Sequence, residues 1–276
     1  MNIYAFADEA SPFLCGQIEA MHRNDLNGLE IRGVDGVNVS DLTEEQAYDI
    51  RRKLDEADLT VWSIGSPLGK ILITDPFEPH LKKMKHTLKI AKILGSKNIR
   101  IFSFYIPEGE KPEKYKDEVI IRLKQFVVAA EGTGITLCHE NEKGIYGDIA
   151  ARCLEIHQEV PQIKCVIDPA NYIHCGQDPL EAWNILHSYI HYLHIKDADE
   201  DGKVVPAGKG IGHVAAVLDA YIAQGGTAVT IEPHLTVFEG LKNLEQEGHT
   251  STIDSFTYAS RDEAFDAACN ALKILL

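Results

Sequence analysis

Four residues of this chain have the right types to hold one cation between them: Glu140, Asp168, His194 and Glu232. Each ends a short apolar run with a strand pattern: Leu137-Cys-His-Glu140, Val166-Ile-Asp168, Tyr192-Leu-His194 and Val229-Thr-Ile-Glu232. Three carboxylates brought together without a counter-ion repel and raise one another's pKa. A divalent cation removes that problem. Three oxygens and one imidazole form a fairly hard set, best suited to Mn²⁺, with Mg²⁺, Co²⁺ or Zn²⁺ acceptable. Such an ion polarises a carbonyl oxygen and a neighbouring hydroxyl, and carboxylates beside it can shuttle a proton between faces or carbons of a substrate. A hydride shift uses the same ligands, so the sequence leaves both routes open.

Other side chains fall close to these strand ends. Lys196 shares the parity of His194, which suits either a substrate oxygen or an ion pair with Glu140, Glu142 or Asp168. His174 and His234 lie just beyond the strands and could meet substrate hydroxyls or water. Glu142 is an alternative ligand to Glu140. Glu30 and Arg32 read as an internal ion pair, Trp62 and Trp183 as packing, and Ser66, Ser103 and Tyr105 as pocket walls. The Ala207-Gly-Lys-Gly210 loop could touch a phosphate, although a lone GxG is weak evidence.

The elements that must position these residues alternate strand and helix. Strand patterns cover 3–7, 29–34, 60–64, 99–104, 135–140, 164–168, 192–196 and 228–232. Helical spacing follows each of them. Thr43 with Gln46 forms a capping box, Gly95 stops the helix over 79–94, Asp148 can cap the helix after the fifth strand, and Pro179 suits a first helical turn. A last helix covers 262–275, after an irregular segment, 235–260, that suits a lid or an interface loop. Eight such units in 276 residues predict one α/β domain over 1–276, a single (β/α)₈ TIM barrel. No Gly-rich phosphate fingerprint follows the first strand, which disfavours an open doubly wound sheet. In a barrel, side chains alternate between interior and helix layer. Leu137, Ile167, Leu193 and Ile231 then face the helices, and Glu140, Asp168, His194 and Glu232 point inward at the strand tops where barrel sites form.

Composition narrows the function classes. The net charge of −15 repels nucleic acid phosphates. The six cysteines form no CxxC pair, which fits a reduced compartment better than a disulfide framework. The start of the chain lacks a basic segment followed by a long apolar run, and no stretch approaches a membrane span, so a cytoplasmic protein without nucleic acid or membrane partners is expected.

The motifs HEN at 139–141, IDPANY at 167–172, LHIKDAD at 193–199, PAGKG at 206–210 and IEPH at 231–234 resemble the xylose isomerase-like TIM barrel family, the AP endonuclease 2 superfamily. Within it they are similar to the sugar phosphate isomerase/epimerase and ketose 3-epimerase branch. The resemblance spans essentially the whole chain. It implies one divalent metal on Glu140, Asp168, His194 and Glu232, with Glu140 and Glu232 as the acid/base pair. Ketose 3-epimerases carry a His three positions after the metal Asp, where this chain has Asn171, a substrate-binding candidate with Lys196, His174 and His234. They also carry an Arg in the loop after the metal His, where this chain has Asp199-Glu-Asp201.

The expected activity is a metal-dependent isomerase or epimerase acting by proton transfer through an enediolate on a small keto-sugar, sugar phosphate or cyclitol, possessed by a barrel that could pair as a homo-oligomer. A lyase or dehydratase acting on a keto-cyclitol or 3-keto-glycoside would use the same metal site. A DNA-repair endonuclease of the superfamily would need more histidine ligands and a basic face. A non-catalytic sugar-binding barrel would need no metal.

Overall fold

The computed structural model describes residues 1–237 and 258–276. Among these residues eight parallel strands close into a barrel. They are β1 (Asn2–Ala5), β2 (Gly28–Ile31), β3 (Thr60–Gly65), β4 (Asn98–Ile101), β5 (Thr136–Glu140), β6 (Lys164–Ile167), β7 (Ile190–Ile195) and β8 (Ala228–Ile231). Each pairs with its sequence neighbours, and β8 closes onto β1 with Ala5 beside Ile231. The helices between them are α1 (Leu14–Arg23), α2 (Glu44–Glu56), α3 (Phe77–Leu94), α4 (Lys116–Ala130), α5 (Ala150–Glu159), α6 (Pro169–His174), α7 (Pro179–Leu186) and α8 (Val214–Ala223). The chain ends in α9 (Arg261–Leu275). This is the TIM barrel expected from the alternating pattern.

Local chemistry sets the element ends. The Thr43 hydroxyl accepts the Gln46 N–H while the Gln46 side chain accepts the Thr43 N–H, so both donors at the start of α2 are satisfied. Gly95 stops α3 in the left-handed conformation, φ 76°, which costs a glycine nothing. Pro179 opens α7 behind an Asp178 cap.

Some boundaries differ from the sequence pattern. The second strand stops at Ile31, and Gly33–Val34 instead pairs antiparallel with Val37–Asn38. The fourth strand stops at Ile101, because Phe104 takes φ 67° and cannot continue an extended run. Asp148 does not cap α5, whose N-cap is Ile149; Asp148 accepts from Arg152 instead. The six-residue α6 was invisible to periodicity because it begins directly at the Asp168 strand end. Most of segment 235–260, expected as a lid or interface loop, lies outside the described residues.

The core has two parts. The larger lies between barrel and helices and takes the outward residues of the strands, among them Leu29, Ile31, Ile99, Leu137, Cys165, Ile167, Leu193, Val229 and Ile231. The smaller plugs the barrel floor with Tyr4, Cys138, Val166, Tyr192 and Ala228, and Trp62 stacks on Tyr4 at 5.0 Å. The interior of the second half is therefore layered. Cys138, Val166, Tyr192 and Ala228 form the floor, and the inward positions above it, two residues on along β5 to β7 and four residues on past Thr230 of β8, form the higher layer. No helix of the described residues is long and apolar enough to cross a membrane.

Candidate metal centre

That higher layer carries Glu140, Asp168, His194 and Glu232. Alternation along each strand turns them inward, as the flanking Leu137, Ile167, Leu193 and Ile231 in the outer core demonstrate. All four are buried, and one ligand atom from each lies within 4.8 Å of the others. Donors around an ion at about 2.1 Å stand about 3–4 Å apart, so this spacing suits a shared cation.

The individual contacts define the geometry. His194 Nδ1 is 3.0 Å from Glu140 Oε1 and 3.5 Å from Glu232 Oε2. Lys196 Nζ is 2.8 Å from Asp168 Oδ2 and 3.1 Å from Glu232 Oε2. The Asp168 Oδ2 contact is close in distance but not aligned as a hydrogen bond, so a fully buried carboxylate oxygen keeps an unused lone pair. The other oxygen, Oδ1, accepts the Asn171 N–H at 3.0 Å and caps α6.

Electrostatics also fit a cation. Burial pushes the Asp168 carboxyl up to about 7; Lys196 opposes this, and Glu232 and Glu140 reinforce it. Burial would likewise raise Glu140, but His194 and Arg100 outweigh it and bring it down to about 2. Burial disfavours a charged His194, yet Glu140 and Glu30 hold its pKa well above the usual histidine range. Six buried carboxylates gather here: Asp8, Glu9, Glu30, Glu140, Asp168 and Glu232. Against them, among the described residues, stand three permanently charged cations, Arg32, Arg100 and Lys196. With His194 in the neutral form that a ligand must take, the group keeps three excess negative charges, which a divalent ion would reduce to one.

The remaining candidates sort by their contacts. Asn171 reaches Glu140 Oε1 at 3.3 Å and the Asn141 carbonyl at 2.9 Å. Asn141 in turn accepts the Asp168 N–H at 2.9 Å and locks β5 to β6. Lys196 realises the ion pair with Asp168 and adds one to Glu232. His234 sits at the rim with φ 44°; its N–H donates to Glu9 Oε2 at 2.6 Å and its ring stands 3.5 Å from Glu232 Oε1. His174 stands apart, its Nε2 bonded to the Gly202 carbonyl at 2.9 Å. Glu142 pairs with Lys70 at 2.8 Å, outside the group of four.

Two sequence expectations are corrected. Arg32 does not pair with Glu30. It bonds Asp8 and Glu9, both at 2.9 Å, and approaches Glu232 at 3.3 Å. Residues two apart on a strand occupy successive layers, so Arg32 lies at the rim while Glu30 lies beneath the cluster. The glycine loop is not an open phosphate cradle. The Asp197 carboxylate fills it, accepting the Gly208, Gly210 and Gly212 N–H groups at 2.9, 3.0 and 2.8 Å. A Cβ at Gly210 or Gly212 would stand 2.5 Å from Asp197 Oδ1, so neither position admits a side chain without a shift.

Sequence reasoning passed over Arg100, Asp8 and Glu9. Arg100 is buried and donates to Glu140 Oε2 at 3.0 Å. Its inward parity beside Ile99 and Ile101 was available as a signal. Asp8 and Glu9 fall on a 3-10 turn beyond β1, where alternation gives no guidance.

Comparison of the sequence with curated proteins returns no match. The fold is similar to several solved structures at low sequence identity. The IOLI protein with a binding zinc atom has a TM-score of 0.78 and 16% identity, covering 100% of this chain and 98% of that one. The 3-keto-D-glucoside 4-epimerase YcjR from E. coli has a TM-score of 0.71 and 15% identity, covering 100% and 98%. D-psicose 3-epimerase from Clostridium cellulolyticum H10, solved with D-tagatose, has a TM-score of 0.71 and 16% identity, covering 99% and 98%. The family model described as "Xylose isomerase-like TIM barrel" matches residues 18–247, and with its closed barrel and its buried carboxylate–histidine cluster the chain belongs to that family.

Proposed function

We propose that the protein is a divalent-metal-dependent isomerase or epimerase of a small keto-sugar, sugar phosphate or cyclitol. The observation that carries this reading is the pair of buried glutamates, Glu140 and Glu232, from strands separated by β6 and β7 and both within 3.5 Å of the same His194 nitrogen. Glu140, Asp168, His194 and Glu232 would hold the ion. Its hard donor set favours Mn²⁺, and the zinc of the IOLI structure keeps Zn²⁺ among the candidates. When bound, the ion supplies Lewis acidity to a carbonyl oxygen and the adjacent hydroxyl.

The chain's own residues do the rest. One glutamate takes the proton from the carbon beside the carbonyl, leaving an enediolate. The other returns a proton to the opposite face or to the adjacent carbon. A positioned carboxylate contributes about 10²–10⁴-fold in such a transfer. Lys196, buried beside Asp168 and Glu232, donates to a substrate oxygen as negative charge grows there, and Asn171 holds Glu140 in place. The sugar epimerases of the same fold support this substrate class.

The test incubates the protein with Mn²⁺ and a panel of ketoses and keto-cyclitols in D₂O. Deuterium at the carbon beside the carbonyl of an isomeric product supports the proposal. An isomer without deuterium replaces proton transfer by a hydride shift, and a dehydrated or cleaved product replaces the isomerase by a lyase. No turnover and no metal uptake would leave a sugar-binding barrel.

A further inference from the structure

Glu30 is a buried carboxylate to which the proposed reaction gives no task. It sits inward on β2, fully buried, one layer below the barrel rim. Its Oε2 lies 3.1 Å from His194 Nε2. Its Oε1 accepts from the Tyr192 hydroxyl at 2.9 Å and from Ser63 Oγ at 3.2 Å. The donors come from β7 and β3, so three strands converge on one side chain. On the far side of the imidazole, Nδ1 faces Glu140 and Glu232.

With a cation in the cluster, this arrangement dictates a tautomer. A neutral imidazole has one N–H and one lone pair, and an ionised carboxylate only accepts. Carboxylates face both ring nitrogens, so without an ion each calls for a hydrogen; a cation in the cluster takes the place of the one on Nδ1, and the nitrogen facing Glu30 then carries the single hydrogen that remains. The ring is also walled in. Phe6 meets it edge-on at 5.3 Å and Tyr192 at 5.5 Å. Tyr192 and His194 stand two apart on β7, so the ligand-bearing strand also carries a donor that anchors Glu30.

We propose that Glu30 is a positioning residue for the metal centre: it fixes the tautomer and tilt of His194 so that Nδ1 is presented to the cation. The inference rests on reading Glu140, Asp168, His194 and Glu232 as the metal site. A carboxylate behind a ligating histidine also makes the imidazole a better donor.

The test measures Mn²⁺ affinity by chelator competition in the full chain and in Glu30→Gln, alongside thermal unfolding of both in excess chelator. Glu30→Gln is expected to weaken Mn²⁺ binding about 10- to 100-fold. Tyr192→Phe removes only the hydroxyl on Glu30 and is expected to weaken it less, in the same direction; it decides the matter if the Gln variant does not fold. Nitrogen NMR of the Zn²⁺-loaded protein is expected to show the His194 hydrogen on Nε2. Two results would overturn the inference alone: affinity within about twofold of the unaltered protein in a folded variant, or the hydrogen found on Nδ1. A merely structural Glu30 would lower the unfolding temperature and leave the affinity unmoved. If the unaltered protein takes up no Mn²⁺ or Zn²⁺, the metal reading falls and this inference falls with it.

Discussion

At the scale of single residues, Glu140 and Glu232 are distinguished by their cations. Glu140 is held by Arg100 and His194, and Glu232 by Lys196, Arg32 and His194. Glu140→Gln and Glu232→Gln keep the side-chain shape but cannot take a proton. Each is expected to lower kcat about 10²–10⁴-fold while the unfolding temperature changes little, as steady-state kinetics and calorimetry would show. Full activity in either variant would remove that glutamate from the reaction. Lys196 gives a sharper contrast. Its ammonium competes with any cation for Asp168 and Glu232, so Lys196→Met should tighten Mn²⁺ binding while lowering turnover. A variant that loses metal as well as turnover would show that Lys196 builds the site instead of acting in it.

At the scale of elements, the layer between barrel and helices hides a pH dependence carried by buried histidines outside the group of four. Burial drives His139 down to about 3 and His80 and His157 to about 4. Ser103, expected as a pocket wall, is instead the hydroxyl partner of His139 at 2.9 Å. A histidine kept neutral by folding favours the native state above its unfolded pKa near 6.5, and that stability is lost as pH falls toward the folded value. Each contributes a slope of about 1.4 kcal/mol per pH unit across that window. Asp168, raised to about 7, works in the opposite sense, but three histidines outweigh it. Urea midpoints in chelator should therefore be lower at pH 5 than at pH 7, and His157→Phe, which cannot charge, should flatten the difference. An unchanged midpoint between the two pH values would contradict this. The glycine loop makes a second prediction at this scale. Asp197→Ala would strand four N–H groups, those of Ala198, Gly208, Gly210 and Gly212, and a loss of at least about 2 kcal/mol is expected in chemical unfolding.

At the scale of the whole molecule, the eight strand tops gather more acid than base into one buried volume, and that imbalance weakens the barrel unless something offsets it. A cation bound only by the folded state stabilises it by RT ln(1 + [L]/Kd), about 2.7 kcal/mol at a hundredfold excess over Kd. Mn²⁺ should accordingly raise the unfolding temperature and excess chelator should reverse the gain. The Asp168→Asn variant should respond less. A protein whose unfolding temperature ignores Mn²⁺, Zn²⁺, Co²⁺ and Mg²⁺ alike would reject the metal centre.

What the sequence determined by itself follows from periodicity. Alternation between strand and helix settled the barrel, and parity within each strand settled which side of it Glu140, Asp168, His194 and Glu232 occupy, because both are local properties of a repeating backbone. The capping box at Thr43 and the stop at Gly95 were legible for the same reason. Pairing was not. Proximity along the chain matches Arg32 to Glu30, whereas closure of the barrel sets it against Asp8, Glu9 and Glu232 from just beyond the first and last strands. Glu30 was thereby left for His194, 164 residues away, and Asp197 for the glycine loop it fills. Long-range partners are chosen by how the layers stack once the sheet closes, and no spacing within a single strand encodes that choice.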